Sequence, residues 1–172
     1  QIISRSTDPV DKALISITKI NAGTAYDVID DQVKMGGTIR TFKKETRSYI
    51  EKRLGELCKG IAEAHGAEIK IQFDLVNKYP PTINSKKESI FASNVAKDLV
   101  GEDKVITDID PSMGGEDFSY LLEEKPGTYL YLGQGDEEHK AHLHTTKYDF
   151  NDNLLPIGVN FWVELVKKYF SK

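Results

Sequence analysis

Two consecutive prolines in the run Tyr79-Pro80-Pro81-Thr82 constrain this chain more than any other feature. Each removes a backbone donor, fixes its own φ and holds the preceding residue extended, so neither a helix nor an interior strand can run through them. A domain boundary is therefore expected here, dividing the chain into residues 1–80 and 81–172.

The first part opens Gln1-Ile2-Ile3-Ser4-Arg5, with no methionine and no polar lead-in, and residues 1–6 read as the end of a helix that begins before the sequence does. After Asp8-Pro9, residues Ala13 to Ile20 alternate as a strand with Ile15 and Ile17 on one face, and Asn21-Ala22-Gly23-Thr24 breaks it. A second strand is expected from about Gln32 to Phe42. Val33, Met35 and Ile39 share one face and Lys34, Thr38 and Arg40 the other, so Arg40 points away from the core side of its sheet. Residues 44–65 form the strongest helical pattern, with Ile50, Leu54, Leu57, Cys58 and Ile61 on one side and Gly66 to close it. Glu68 to Leu75 is a period-two strand. This order predicts a small α+β domain, an antiparallel sheet with two helices on one face.

Beyond the prolines, Ser85-Lys86-Lys87-Glu88 is a capping box opening a helix with Phe91, Val95 and Leu99 inward, ended by Gly101. A short strand is expected over Lys104–Thr107, then a brief helix to Glu124, a Pro126-Gly127 turn and a strand over Thr128–Leu132. The last element, from about Asp152 to Phe170, is an amphipathic helix with Leu155, Phe161, Trp162, Leu165, Val166 and Tyr169 inward.

Composition excludes some functions. A net charge of -4, with lysines dispersed along the chain, argues against a nucleic-acid partner. An RNA-binding βαββαβ domain is discouraged further, because the strands lack an aromatic stacking pair with basic neighbours. No apolar run approaches the ~20 residues needed to cross a bilayer, and a cytoplasmic address is the default. Cys58 is the only cysteine, so no internal disulfide forms, and a small apolar side chain on a helix is its simplest role.

The chemistry concentrates in Met113-Gly114-Gly115-Glu116-Asp117-Phe118 and in the segment holding His139, His142 and His144. Glycine backbone at 114 and 115 can approach a ligand closely and offer N–H groups to an anion. Glu116 and Asp117, at a helix start, are either caps and dipole partners or functional acids. His142 and His144 are two apart, so in an extended segment both imidazoles lie on one side, as a metal site requires. His139 lies in a charged loop where a solvated side chain is the simpler account, and His65 complements a helix C-terminus.

Taken together, Met-Gly-Gly-Glu-Asp-Phe, the His-Leu-His-Thr-x-x-Tyr-Asp-Phe segment and the earlier Gly-Gly-Thr-Ile-Arg-Thr-Phe resemble the C-terminal half of the M20 metallopeptidase family. The closest branch is that of amidohydrolases acting on N-acyl amino acids, hippurate and auxin conjugates, and the resemblance runs in order over essentially the whole chain. It implies an α/β metallopeptidase catalytic domain, of which residues 81–172 are the C-terminal part, and a lid inserted into it, of which residues 1–80 are most. It also implies two divalent ions per full-length subunit, zinc or manganese, a small-molecule N-acyl amino acid or peptide-like substrate, and a homodimer formed through the lid. By motif position His144 is the metal ligand supplied by this half and Arg40 the lid arginine that binds the substrate carboxylate. Gly114, Gly115 and Glu116 match the loop beside the metal. Asp27 and Asp30 stand where the family has asparagine and proline, and Asp27 sets a negative charge near an expected carboxylate. The remaining ligands and the general-base glutamate belong to the family's first half, so no catalytic residue is assigned here and the chain alone is expected to be inactive. The alternative is a dimerisation or binding fragment without activity of its own.

Overall fold

A computed structural model describes residues 1–73 and 78–171. The chain forms two compact units, one of residues 1–82 with 111–120, the other of residues 83–110 with 121–172. Residues 111–120, which the sequence boundary assigns to the second part, therefore pack with the first unit.

In the first unit, strands β1 (Ala13–Asn21) and β2 (Lys34–Thr41) pair antiparallel. The ladder runs from Ala13↔Thr41 through Leu14↔Arg40 and Ile17↔Gly37, then resumes at Lys19↔Gly36. Thr18 is thus an extra residue, a bulge in β1. Its effect on the faces is specific. Ile15, Ile17 and Ile20, spaced two and three apart, all share a face with Met35 and Ile39, while Arg40 shares the other with Leu14, Ser16, Thr38 and Lys19. Backbone approach is close at the bulge, and a Cβ on Gly37 would stand 2.1 Å from the Ser16 carbonyl oxygen. Only glycine fits there.

Helix α1 (Lys44–His65) packs near β2 with Ile50 fully buried and Ala62 close to it in burial. Gly66 ends it at φ 63, and its N–H donates to the Ala62 carbonyl. Ahead of β1, residues Ile2–Ser6 form one turn of π-helix with Ile2 buried. On α1, Glu51 takes Arg47 Nε at 3.0 Å and Lys78 Nζ at 2.9 Å, and Arg47 Nη1 donates to the Tyr79 carbonyl at 3.3 Å. These bonds hold the approach to Pro80-Pro81 against the helix.

The strand expected over Glu68–Leu75 does not form in its described part, residues 68–73, and Asp74 and Leu75 lie outside the described residues. Period-two alternation makes a segment fit for a strand, but only a hydrogen-bonded neighbour makes it one.

In the second unit, α2 (Lys86–Val100) packs against α4 (Leu155–Phe170). The Phe91 and Tyr169 rings meet edge to face at 6.2 Å, and Lys168 pairs with Asp98. Helix α2 starts where expected, but its capping box is not made: Ser85 Oγ instead accepts from Gly127 N at 3.2 Å, while Ser85 N donates to the Gly127 carbonyl at 2.8 Å. Neither short strand of this half forms. Glu102–Lys104 is a 3-10 turn leading to extended backbone at Val105. Over residues 128–132, the backbone of Tyr129 is bonded on both sides by the Asn84 carboxamide, N to Oδ1 at 2.7 Å and O to Nδ2 at 2.9 Å. A side chain there occupies the place of a neighbouring strand.

Helix α3 (Phe118–Glu124) is present, and a 3-10 turn at Asp152–Leu154 leads into α4. The face expected inward on α4 is corrected. Phe161 and Leu165 are half-buried, whereas Leu155, Trp162, Val166 and Tyr169 are exposed, Trp162 at 61%. Among the described residues no helix is long and apolar enough to cross a membrane.

Candidate functional site

The residues singled out from sequence fall into two groups, one in each unit. In the first, β2 turns Arg40 out on the face opposite Ile39, and the guanidinium occupies the space where a side chain at Gly115 would begin. A Cβ built there would meet Arg40 Nη1 at 2.1 Å, Cζ at 2.7 Å and Nη2 at 2.9 Å. Two residues far apart in sequence are thus brought together, and any side chain at 115 would displace the guanidinium from this position. Among the described residues no carboxylate pairs with Arg40. The group is half-buried and carries a fork of donors whose geometry suits a carboxylate.

Glu116 follows directly. Its Oε1 accepts from Phe118 N at 3.3 Å, and its carbonyl takes Ser119 N at 3.3 Å and Ser119 Oγ at 2.5 Å. It therefore caps α3 and fixes the loop that bears Gly114 and Gly115. Gly114 has room for a side chain, since its nearest neighbour would be Ser112 Oγ at 3.5 Å. Asp27 lies on a separate exposed turn, after Gly23 at φ 79, and no ion pair joins it to Arg40 among the described residues. Asp30 on the same turn accepts from Thr24 Oγ1 at 3.3 Å.

Sequence reading missed a cleft of about 260 Å³ lined by Val10, Asp11, Lys12, Phe42, Lys43, Thr46 and Pro111. Asp11 pairs with Lys43, and Thr46 Oγ1 donates to its second oxygen at 3.0 Å. The Lys43 ammonium and then the Thr46 hydroxyl hold the Asp11 carboxyl below the usual range, and Asp11 in turn holds Lys43 above its own. Both stay charged at neutral pH and satisfy each other, which suits a structural pair rather than a proton-transfer pair.

In the second unit, the histidine segment departs from expectation. Residues 143–147 make turns, not an extended run, with Thr145 Oγ1 donating to the His142 carbonyl at 2.9 Å and Tyr148 N to the Thr145 carbonyl at 3.2 Å. The two-residue spacing of His142 and His144 therefore does not place their rings on one side. His144 itself adopts φ 63, the only non-glycine positive φ among the described residues. Such a conformation persists in a folded chain when surrounding structure imposes it, and it clusters at functional positions.

Tight bonds hold the base of this loop. Asp136 Oδ1 accepts from His139 N at 2.7 Å and Glu138 N at 3.0 Å, and the His139 ring sits 2.7 Å from the same oxygen. These backbone and ring bonds from His139 lead in holding the Asp136 carboxyl below its ordinary value. His139 is therefore an anchored loop residue rather than a solvated one. Gln134, Tyr148 and Asn151 complete the base; Tyr148 lies in the His-Leu-His-Thr-x-x-Tyr-Asp-Phe motif, whereas Gln134 and Asn151 were not singled out from sequence, their one local signal being the helix-start pattern Asn151-Asp152.

The donor set fits a metal only in part. His144 is exposed and offers one imidazole, and among the described residues no three histidine, cysteine, aspartate or glutamate side chains gather to hold an ion. One ligand of a larger set is what these residues offer.

Residues 2–168 match the family model described as Peptidase family M20/M25/M40. The hippurate hydrolase of Campylobacter jejuni is 38% identical over 170 residues, covering 99% of this chain and 43% of that protein. The IAA-amino acid hydrolase ILR1-like 2 of Arabidopsis thaliana is 33% identical over 175 residues, covering all of this chain and 39% of its own length. The structure of the YXEP protein of Bacillus subtilis, described as a dinuclear metal binding peptidase from the M20 family, is 30% identical with a TM-score of 0.71, over 89% of this chain and 40% of that one. A structure from methicillin-resistant Staphylococcus aureus, 23% identical with a TM-score of 0.77 over 98% of this chain and 43% of its own, shows the same fold. The chain spans about two-fifths of the length of the curated relatives it matches. With residues 2–168 matched to the family model and an α/β fold shared with an M20 structure, the chain belongs to peptidase family M20/M25/M40.

Proposed function

We propose that the protein to which these residues belong hydrolyses the amide bond of N-acyl amino acids or related conjugates, with two divalent ions, zinc or manganese, per subunit. Hippurate and IAA-amino acid conjugates, named for the relatives above, are of this class: each is an acyl group joined by an amide to an amino acid bearing a free carboxylate. In this reading Arg40 binds that carboxylate in a bidentate pair. Gly114, Gly115 and Glu116 wall the site, Asp27 adjoins it and limits which amino-acid part is accepted, and His144 contributes one metal ligand. The bound ions supply the polarised carbonyl and the activated water.

The observation that carries the reading is Arg40 resting on Gly115. A cation that no carboxylate among the described residues pairs with, beside a residue that has no side chain, suits a small anionic group. A deacylating peptidase without need of a free carboxylate would have no use for it. Residues 1–80 act as a lid and 81–172 as part of the catalytic domain, and the exposed Ile17, Ile20 and Met35 on one face of the β1–β2 sheet make the lid the expected homodimer contact of a cytoplasmic enzyme.

The test uses the full-length protein. Arg40→Lys should raise KM for N-acetyl amino acids about tenfold or more and leave KM for the corresponding amino-acid amides unchanged, since those lack the carboxylate. His144→Ala should reduce bound metal. Equal effects of Arg40→Lys on acid and amide substrates would remove the assigned role.

A further inference from the structure

The loop bearing His144 leaves and returns at a single knot of hydrogen bonds. Asn151 is buried, at 7% exposure, and sits at that knot. Its Nδ2 donates to Asp136 Oδ2 at 2.9 Å and to the Gln134 carbonyl at 3.4 Å, while its Oδ1 accepts from Asn153 N at 3.1 Å. Gln134 reaches back to the returning segment of the loop. Its Nε2 donates to the Asp149 carbonyl at 3.4 Å, and its Oε1 accepts from Tyr148 Oη at 3.3 Å. The Asn151 carboxamide thus joins the outgoing chain at 134–136 to residue 151 and to the first turn before α4, and the Gln134 carboxamide ties in residues 148 and 149. Compact loops closed at the base in this way hold their tips in defined conformations. The tip here includes a histidine at φ 63, which a free loop would relax toward negative φ.

We infer that Asn151 is a positioning residue for His144: its two donated bonds close the loop base and so fix where the imidazole is presented, and its cap on Asn153 is a separate task. Asn151 acts through Gln134 and Asp136 rather than on the reacting atoms. This rests on reading His144 as a metal ligand. The carboxamide is suited to both tasks because it donates on one side and accepts on the other, whereas a carboxylate can only accept.

The experiment is a double-mutant cycle in the full-length protein, with zinc affinity measured by chelator competition. Asn151→Ala should weaken zinc binding about 10- to 100-fold in the native background, the usual effect of a residue that orients a ligand. In a His144→Ala background it should change affinity less than about twofold, because the ligand through which it acts is gone. Asn151→Asp keeps the cap on Asn153 and loses the clamp, so its affinity should fall as in Asn151→Ala. Equal losses in both backgrounds, or native affinity in Asn151→Asp, would overturn the inference. If His144→Ala alone leaves zinc binding intact, the ligand reading fails instead. Amide exchange over residues 142–148 then decides the clamp: faster exchange in Asn151→Ala upholds it and unchanged exchange refutes it.

Discussion

At the scale of single residues, the two adjacent glycines differ in kind. Gly115 cannot accept a Cβ without expelling the Arg40 guanidinium, whereas Gly114 can, its nearest neighbour being at 3.5 Å. Gly115→Ala should therefore raise KM for N-acyl amino acids about tenfold or more in the full-length enzyme, while Gly114→Ala changes it less than about threefold; steady-state kinetics of the pair measures the difference. Arg40 was legible in the sequence because strand alternation alone turns it away from Met35 and Ile39. Its resting place was not, because no local pattern connects position 40 to position 115. The motif singled out His144 but not its φ of 63: the spacing of His142 and His144 fits an extended segment equally well, and the turn depends on bonds from Thr145 and Tyr148. Asn151 was hidden for the same reason, since its partners at 134 and 136 meet it only after folding.

At the scale of elements, the long helices were readable because apolar side chains at three- and four-residue spacing, with a glycine stop, specify α1 and α2 locally. The strands divide by partner. β1 and β2 are near in sequence and pair, while the alternating runs at 68–73, 104–107 and 128–132 have no ladder among the described residues. The cap at Ser85 failed as a prediction because a hydroxyl can choose between its own helix and the Gly127 N–H. On α1, the Glu51 carboxyl is pushed up by burial, but bonds from Lys78 and Arg47 outweigh that and hold it below its ordinary value of 4.5. A depressed folded value means stability that is full above the unfolded pKa and is lost as pH falls through the folded one. Glu51→Gln should therefore melt below the native protein at pH 7, and the gap should narrow as the pH falls below the ordinary carboxyl value of 4.5, as read by circular dichroism.

At the scale of the whole molecule, α4 is the least satisfied element. Val159, Trp162, Val166, Tyr169 and Phe170 are all more than half exposed, and no residue of the helix is fully buried. Exposed apolar surface of this extent is a feature of interaction sites and of aggregation-prone faces alike. Produced as the 172-residue chain alone, the protein should bind a hydrophobic dye strongly, associate in a concentration-dependent way in sedimentation, and show no hydrolysis of N-acyl amino acids. The amphipathic pattern of α4 identified a helix but could not say which flank is covered, because sequence periodicity marks an apolar stripe and not its occupant.

The bulge at Thr18 also couples chain length to composition. Glycine is demanded at 37 because β1 carries one residue more than its partner can match, pressing the Ser16 carbonyl onto the facing backbone. Deleting Thr18 would restore regular alternation and still leave Ile15, Ile17 and Ile20 facing the same way, since Lys19 would take the place of the lost residue. An indel and a point substitution should then compensate each other. Gly37→Ala by itself should cost about 1–3 kcal/mol, and in the Thr18 deletion most of that penalty should vanish, a non-additivity that paired thermal melts would detect.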